Sequence, residues 1–143
     1  MITSLAHINL TVPPGTLPAA KAFYGDTLGL TPRAVPTGSS HRLAWFDIGS
    51  SGQQIHVAHY DPNTESPAAE SARHPCFKVE NSEKLGELRS KVYEHFKRGG
   101  EGAPMAADAP GQENSGATQG VDIPQWTRFF ARDYAGNRLE FSV

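Results

Sequence analysis

Polar and apolar positions alternate at period two in six short stretches, and two longer stretches carry the wider spacing of amphipathic helices. In residues 5–12, Ile8, Leu10 and Val12 share one face, and His7, Asn9 and Thr11 the other. That alternation predicts a strand with one buried face. Pro13, Pro14 and Gly15 end it. Thr16 is placed to cap a short helix whose apolar stripe is Leu17, Ala20, Phe23 or Tyr24, and Leu28, with Gly29 as its stop. Residues 31–40 are turn-rich with room for one short strand. Leu43–Ile48 and Gln53–Tyr60 are the next two strands, joined through the turn 49–52. The predicted order is β-α-β-β-β.

The order recurs after a Pro- and Ala-containing linker over residues 61–70. His74–Val79 reads as a strand with Phe77 and Val79 on one face and His74, Cys76 and Lys78 on the other. Asn81 or Ser82 caps a helix with the stripe Leu85, Leu88, Val92 and Phe96, closed by Gly99-Gly100. Residues 101–125 are rich in Gly, Ala and Pro and show little periodicity. A lid and a disordered insertion are equally good expectations for them. Trp126–Arg132 is a strand, residues 133–137 a tight turn, and Arg138–Val143 the last strand.

Two echoes show that the halves are copies. Gly52, Ile55 and His56 fall on Gly136, Leu139 and Glu140 at an offset of 84. Ser4, His7 and Val12 fall on Ser71, His74 and Val79 at an offset of 67. The difference of 17 residues is mostly taken up by the segment 101–125. We therefore expect one domain over 1–143, built from modules of about 1–62 and 71–143.

Composition narrows the class. A hydrophobic content of 38%, a charged content of 20% and a net charge of −2 describe an ordinary globular chain. They offer no electrostatic case for nucleic acid or an anionic membrane. No apolar run approaches the ~20 residues of a membrane span, and the first residues lack a signal peptide's basic region and apolar core. The single cysteine, Cys76, excludes an intrachain disulfide. A cytoplasmic location is the expectation.

The candidate chemistry lies on the polar strand faces. His7, His56, His74 and Glu140 occupy two pairs of repeat-equivalent positions, each opposite a consistently apolar face. Three imidazoles and a carboxylate suit a borderline divalent ion such as Zn, Ni, Co, Mn or Fe(II). A lone strand histidine is usually just a polar residue on a wet face, and the pairing by repeat is what argues for metal. Tyr60, Trp45, Trp126 and Arg128 are candidates to hold a substrate ring or anion, with core packing the preferred reading for the two tryptophans. Arg132 and Asp133 read as a structural ion pair, Cys76 as a small buried hydrophobe, and His41, His59 and His95 as surface or satisfied residues.

The pattern resembles the vicinal oxygen chelate superfamily, the glyoxalase, bleomycin-resistance and extradiol-dioxygenase group. The motifs that carry the resemblance are His-Ile-Asn-Leu-Thr-Val (7–12), Ala-Phe-Tyr-Gly-Asp-Thr-Leu-Gly-Leu (22–30) and Gln-Ile-His-Val (54–57). They continue with Arg-His-Pro-Cys-Phe-Lys-Val (73–79) and Phe-Phe-Ala-Arg-Asp-Tyr-Ala-Gly-Asn-Arg-Leu-Glu-Phe (129–141). The resemblance implies an α+β fold of two βαβββ modules, a curled mixed sheet around a shared metal-binding cup. Ligands would stand on the first and last strand of each module, and the chain would form a homodimer. It further implies a metal-dependent enzyme of glyoxalase, lyase or isomerase type, chelating a small oxygenated substrate through two oxygens. Glu140 would serve as both ligand and base. The alternatives are an Fe(II)-dependent dioxygenase and a non-catalytic antibiotic- or small-molecule-binding resistance protein. The chain departs from glyoxalase I relatives, which usually carry Glu or Gln, in having His56.

Overall fold

A parallel pairing of first strand with last is what each repeated half produces. The computed structural model describes residues 1–61, 63, 68–112 and 127–143. It divides into two units, Met1–Ser66 and Pro67–Val143. In the first unit, β1 (His7–Val12) is followed by α1 (Leu17–Ala20), β2 (Thr31–Arg33), β3 (Leu43–Asp47) and β4 (Gln54–His59). The sheet order is β1-β4-β3-β2, with β1 parallel to β4 and the other pairs antiparallel. In the second unit, β5 (Cys76–Lys78), α2 (Ser82–Arg98), β6 (Ala106–Ala107), β7 (Arg128–Arg132) and β8 (Arg138–Ser142) repeat the plan, in the order β5-β8-β7-β6. The fold is thus α+β, two four-stranded mixed sheets each with its helix.

The register confirms the sequence repeat. Asn9 lies opposite His56, and Cys76 lies opposite Glu140. Both pairs are related by the offsets that relate the halves. Burial sets this register: Leu10, Val12, Phe46, Ile55 and Val57 are buried in the first unit, and Phe129, Ala131, Leu139 and Phe141 in the second. Each large side chain so buried contributes about 1.5–3 kcal/mol, and a slip of one residue would turn every one of them to solvent.

The first helix differs from expectation in two ways. Thr16 does not cap it; its hydroxyl donates to the Pro13 carbonyl at 2.7 Å. The reason is local: Pro18 at the second position has no N–H to give, and the Ala19 N–H goes to the Thr16 carbonyl at 3.1 Å. After Ala20 the chain continues as a π-helix over Lys21–Thr27. The Leu28 N–H reaches the Phe23 carbonyl five residues back at 2.9 Å. The wider turn brings the adjacent Phe23 and Tyr24 into the core together, where their rings meet edge to face at 5.1 Å.

Helix α2 is capped as predicted, the Asn81 side chain accepting from the Lys84 N–H at 2.9 Å. Gly99 at φ 69° turns the chain out at its end. Its buried face is Leu85, Arg89, Val92 and His95, and Phe96 of the expected stripe is 38% exposed. Arg89 holds that face because its guanidinium finds carbonyls, donating to Ala109 O at 2.7 Å and Gln112 O at 2.9 Å. These bonds anchor the opening of the segment 101–125, which contains the unforeseen β6. Asp108 accepts from the Phe130 N–H at 2.8 Å and ties it to β7. Residues 113–125 lie outside the described residues, and the lid reading with them.

His95 gives a testable pH dependence. Burial holds it below its ordinary pKa of 6.5, with its Nε2–H donating to the Glu101 carbonyl at 3.1 Å. The unfolded chain binds a proton near pH 6.5 and the folded chain only lower, so stability rises with pH across that window. It is fully present above about pH 7 and lost as pH falls through 6.5 towards the folded value. Thermal melts from pH 7.5 to 5 should show this decline in Tm, shallower in His95→Gln; an identical slope in that variant would contradict it.

Among the described residues, no helix is long and apolar enough to cross a membrane.

Candidate functional site

The polar faces of the two sheets carry the predicted ligands as two pairs. In the second unit, His74 lies just before β5, and Glu140 lies on β8. His74 Nε2 stands 2.9 Å from Glu140 Oε2, while its Nδ1 stands 2.7 Å from the Ala72 carbonyl. A carbonyl only accepts, so Nδ1 carries a proton. In the neutral ring Nε2 is then a lone pair aimed at the carboxylate. Two lone pairs facing one another at this distance are held by a shared proton or by a cation between them. Arg128 completes the group, its NH1 donating to Glu140 Oε1 at 2.8 Å. Glu140 is only 7% exposed, so both carboxylate oxygens are committed within a mostly dry setting.

Phe130, opposite Glu140 in the strand register, forms the floor beside this pair. Its ring meets His74 edge-on at 5.6 Å, and the Arg138 guanidinium lies 4.5 Å from its centroid. Cys76 is exposed on the same face, its sulfur 3.4 Å from the Ser142 hydroxyl. The expectation of a buried hydrophobe is therefore overturned: alternation from His74 carries Cys76 to the ligand face.

In the first unit the two histidines make a stack. The His7 and His56 rings are 4.0 Å apart at 10°, and Trp45 covers the other side of His56 at 4.4 Å, also at 10°. Trp45 is half-buried and lies opposite His56 in the register, so it belongs to the ligand face and not to the core. Its Nε1 is buried without a hydrogen-bond partner among the described residues. Ring nitrogens bind metal in the ring plane at ~2.0–2.1 Å. An ion in the plane of one stacked ring lies outside the plane of the other. Joint ligation by this pair requires one ring to turn, and exposed His7 at the strand start is the freer of the two. Burial, with the charge of His7 adding, holds His56 below its ordinary pKa, which favours the neutral, ligating form.

Behind His56 runs a polar chain that the sequence reading missed. His56 Nε2 is 2.9 Å from Gln54 Oε1, the Gln54 amide donates to Asp47 Oδ1 at 2.7 Å, and Arg33 lies 3.3 Å from Asp47 Oδ2. The hydrogen bond from Gln54, with the Arg33 charge adding, holds the Asp47 carboxyl below its ordinary pKa. The signal was present in the alternation, since Gln54 shares the face of His56, and Asp47 that of Trp45.

The remaining candidates separate cleanly. Tyr60 follows β4, half-buried, its N–H donating to Val12 O at 3.0 Å. Trp126 lies outside the described residues. Arg132 and Asp133 are structural, each through its own partners. Arg132 donates to the carbonyls of Gly136 and Ser71, at 2.8 and 3.3 Å, and Asp133 accepts from the N–H groups of Ala135 and Asn137, both at 2.9 Å. His59 accepts from the Gly15 N–H at 3.2 Å, and His41 is exposed. Among the described residues no three His, Cys, Asp or Glu side chains gather into a metal-binding group; each unit carries two of the four expected ligands.

Two βαβββ units, each a four-stranded mixed sheet whose first strand runs parallel to its last, define a class of fold. The chain has the fold of the vicinal oxygen chelate superfamily. It is similar to a Bacillus anthracis protein described as glyoxalase family, at 25% identity and TM-score 0.65, over 99% of this chain and 94% of that one. It also shares its fold with a variant of FosX, a fosfomycin resistance protein of Listeria monocytogenes complexed with Mn(II) and 1S,2S-dihydroxypropylphosphonic acid. That match has 18% identity and TM-score 0.65 over 99% and 90% of the two chains. A glyoxalase/dioxygenase of Nostoc punctiforme matches at 20% identity and TM-score 0.63 over 96% and 88%. No family model matches the chain, and no curated protein matches it in sequence.

Proposed function

We propose that the chain is a divalent-metal-dependent enzyme acting on a small oxygenated substrate, with His7, His56, His74 and Glu140 as its ligands. The observation that carries this reading is the His74–Glu140 pair. A backbone-fixed imidazole presents Nε2 to a carboxylate oxygen at 2.9 Å, at the positions equivalent by repeat to His7 and His56. A divalent ion bound there supplies Lewis-acid polarisation of substrate oxygens. The chain's own residues do the rest. Ala72 O fixes the His74 tautomer, and Arg128 holds Glu140 Oε1, so Oε2 is the atom that would face the ion and, only when released from it, take and return a proton. Trp45, Tyr60, Trp126 and Arg128 are proposed substrate contacts, in a cytoplasmic homodimer.

Two other readings stand beside it: a resistance protein that binds a small molecule without turnover, and an Fe(II) dioxygenase, the latter in keeping with the glyoxalase/dioxygenase neighbour. Chelated protein reloaded separately with Mn(II), Ni(II), Co(II), Zn(II) and Fe(II), then offered vicinal dioxygenated and epoxide substrates, decides among them. Turnover without oxygen uptake, restored by metal, is the expected result. Turnover that consumes oxygen with Fe(II) alone would move the assignment to dioxygenase. Ligand binding without turnover in any metal form would overturn the enzyme reading.

A further inference from the structure

We infer that Gln54 is a positioning residue: anchored by Asp47, it fixes His56 as the Nε2–H tautomer and so assigns the ligating role to Nδ1. The inference rests on the metal reading for its purpose but not for its geometry. A Gln amide alone could face either way. Here Asp47 decides, because its carboxylate only accepts, and the contact at 2.7 Å must therefore come from the Gln54 NH₂. Gln54 Oε1 is thereby turned to His56, and an amide oxygen also only accepts. At 2.9 Å, His56 Nε2 must carry the proton.

The strands build this arrangement. Asp47 and Gln54 are direct cross-strand partners, as are Trp45 and His56, so the anchoring pair sits one same-face step along the sheet from the ring it orients. Trp45 and His7 on either side of His56 fix the ring plane, and the Gln54 bond fixes its rotation within that plane. Arg33, more than half exposed, steadies Asp47 but contributes little. The second unit solves the same problem the other way round, with the Ala72 carbonyl holding His74 Nδ1–H and leaving Nε2. Orienting partners of this kind change metal affinity by about 10–100-fold when lost. The class of ligand for the freed nitrogen is a divalent cation.

The test uses ¹⁵N-labelled, metal-free protein at pH 7.5, where long-range ¹H–¹⁵N correlations distinguish protonated from lone-pair ring nitrogens. His56 should show a protonated Nε2 and a lone-pair Nδ1. Gln54→Met should release this into a tautomer mixture and weaken Co(II) binding about 10–100-fold. The double variant Asp47→Asn/Gln54→Glu exchanges the two groups, so that a carboxylate at position 54 accepts from both the new amide at position 47 and the His56 ring. It should restore the tautomer. A lone-pair Nε2 in the parent protein would overturn the inference, as would Gln54→Met with an unchanged tautomer. The metal-free spectrum decides the point whether or not the chain binds metal, so the two readings fail separately.

Discussion

Replacing Glu140 by alanine is expected to weaken divalent-cation binding by about 100-fold or more, roughly 2.7 kcal/mol. The carboxylate is the one anionic donor of the proposed set, and three neutral imidazoles alone offer an ion no charge compensation. The variant also strands Arg128, whose NH1 loses its 2.8 Å acceptor while its Nε is already buried without a partner among the described residues. A cost of about 1 kcal/mol in stability should accompany the loss of affinity, since the Arg128 side chain is 41% exposed and water replaces part of the lost acceptor. Glu140→Gln separates the two effects, keeping an acceptor for Arg128 while removing the charge. Competition against a chelator gives the affinities and thermal melts the stabilities. Glu87→Ala, which breaks only the exposed pair with Lys84, is the control and should change neither. Wild-type affinity in Glu140→Ala would remove Glu140 from the ligand set.

Gly136→Ala is the substitution expected to damage the fold most. Gly136 has φ 89°, a region that costs other residues about 1–3 kcal/mol. A Cβ there would also stand 2.8–2.9 Å from the Cβ, Cα and N of Ala69, mostly backbone that cannot swing aside. We expect a loss of about 3 kcal/mol or more, or roughly 10 °C in Tm. The repeat supplies its own control. Gly52 has φ 75°, but nothing lies within 4 Å of its hypothetical Cβ. Gly52→Ala should therefore show only the conformational cost, about 1 kcal/mol. Equal effects in the two variants would contradict the steric argument.

Much of this fold was legible because half-buried strands declare themselves by alternation, and because the chain states its plan twice. The pairs Gly52/Gly136 and His56/Glu140 were recognisable as equivalents before the register placed Asn9 against His56 and Cys76 against Glu140. What escaped was whatever depends on partners distant in sequence. Arg89 reads as a solvent residue until the carbonyls of Ala109 and Gln112 close on it. The two-residue β6 is too short to carry a period, and the π-helix that buries both Phe23 and Tyr24 depends on packing against Phe46, 5.7 Å from Tyr24.

The ligand face followed the same division. Alternation named His7, His56, His74 and Glu140 but gave no sign of which nitrogen each imidazole would present. That choice belongs to Ala72 O and Gln54, a backbone atom and an amide whose roles exist only in the folded sheets. Trp45 was drawn to the core reading by its size, and Cys76 by its chemistry. Strand parity had already set Cys76 on the face of His74, and the structure leaves it exposed there, while Trp45 is half-buried opposite His56.

Metal stoichiometry of the untagged protein, purified without chelators and then titrated with Co(II), tests the central claim most directly. One ion per chain, bound with the visible absorption of a nitrogen- and oxygen-ligated cobalt centre and lost in both His56→Ala and Glu140→Ala, is the predicted result. Protein that takes up no ion on titration, or that holds it equally well in both variants, would contradict the account.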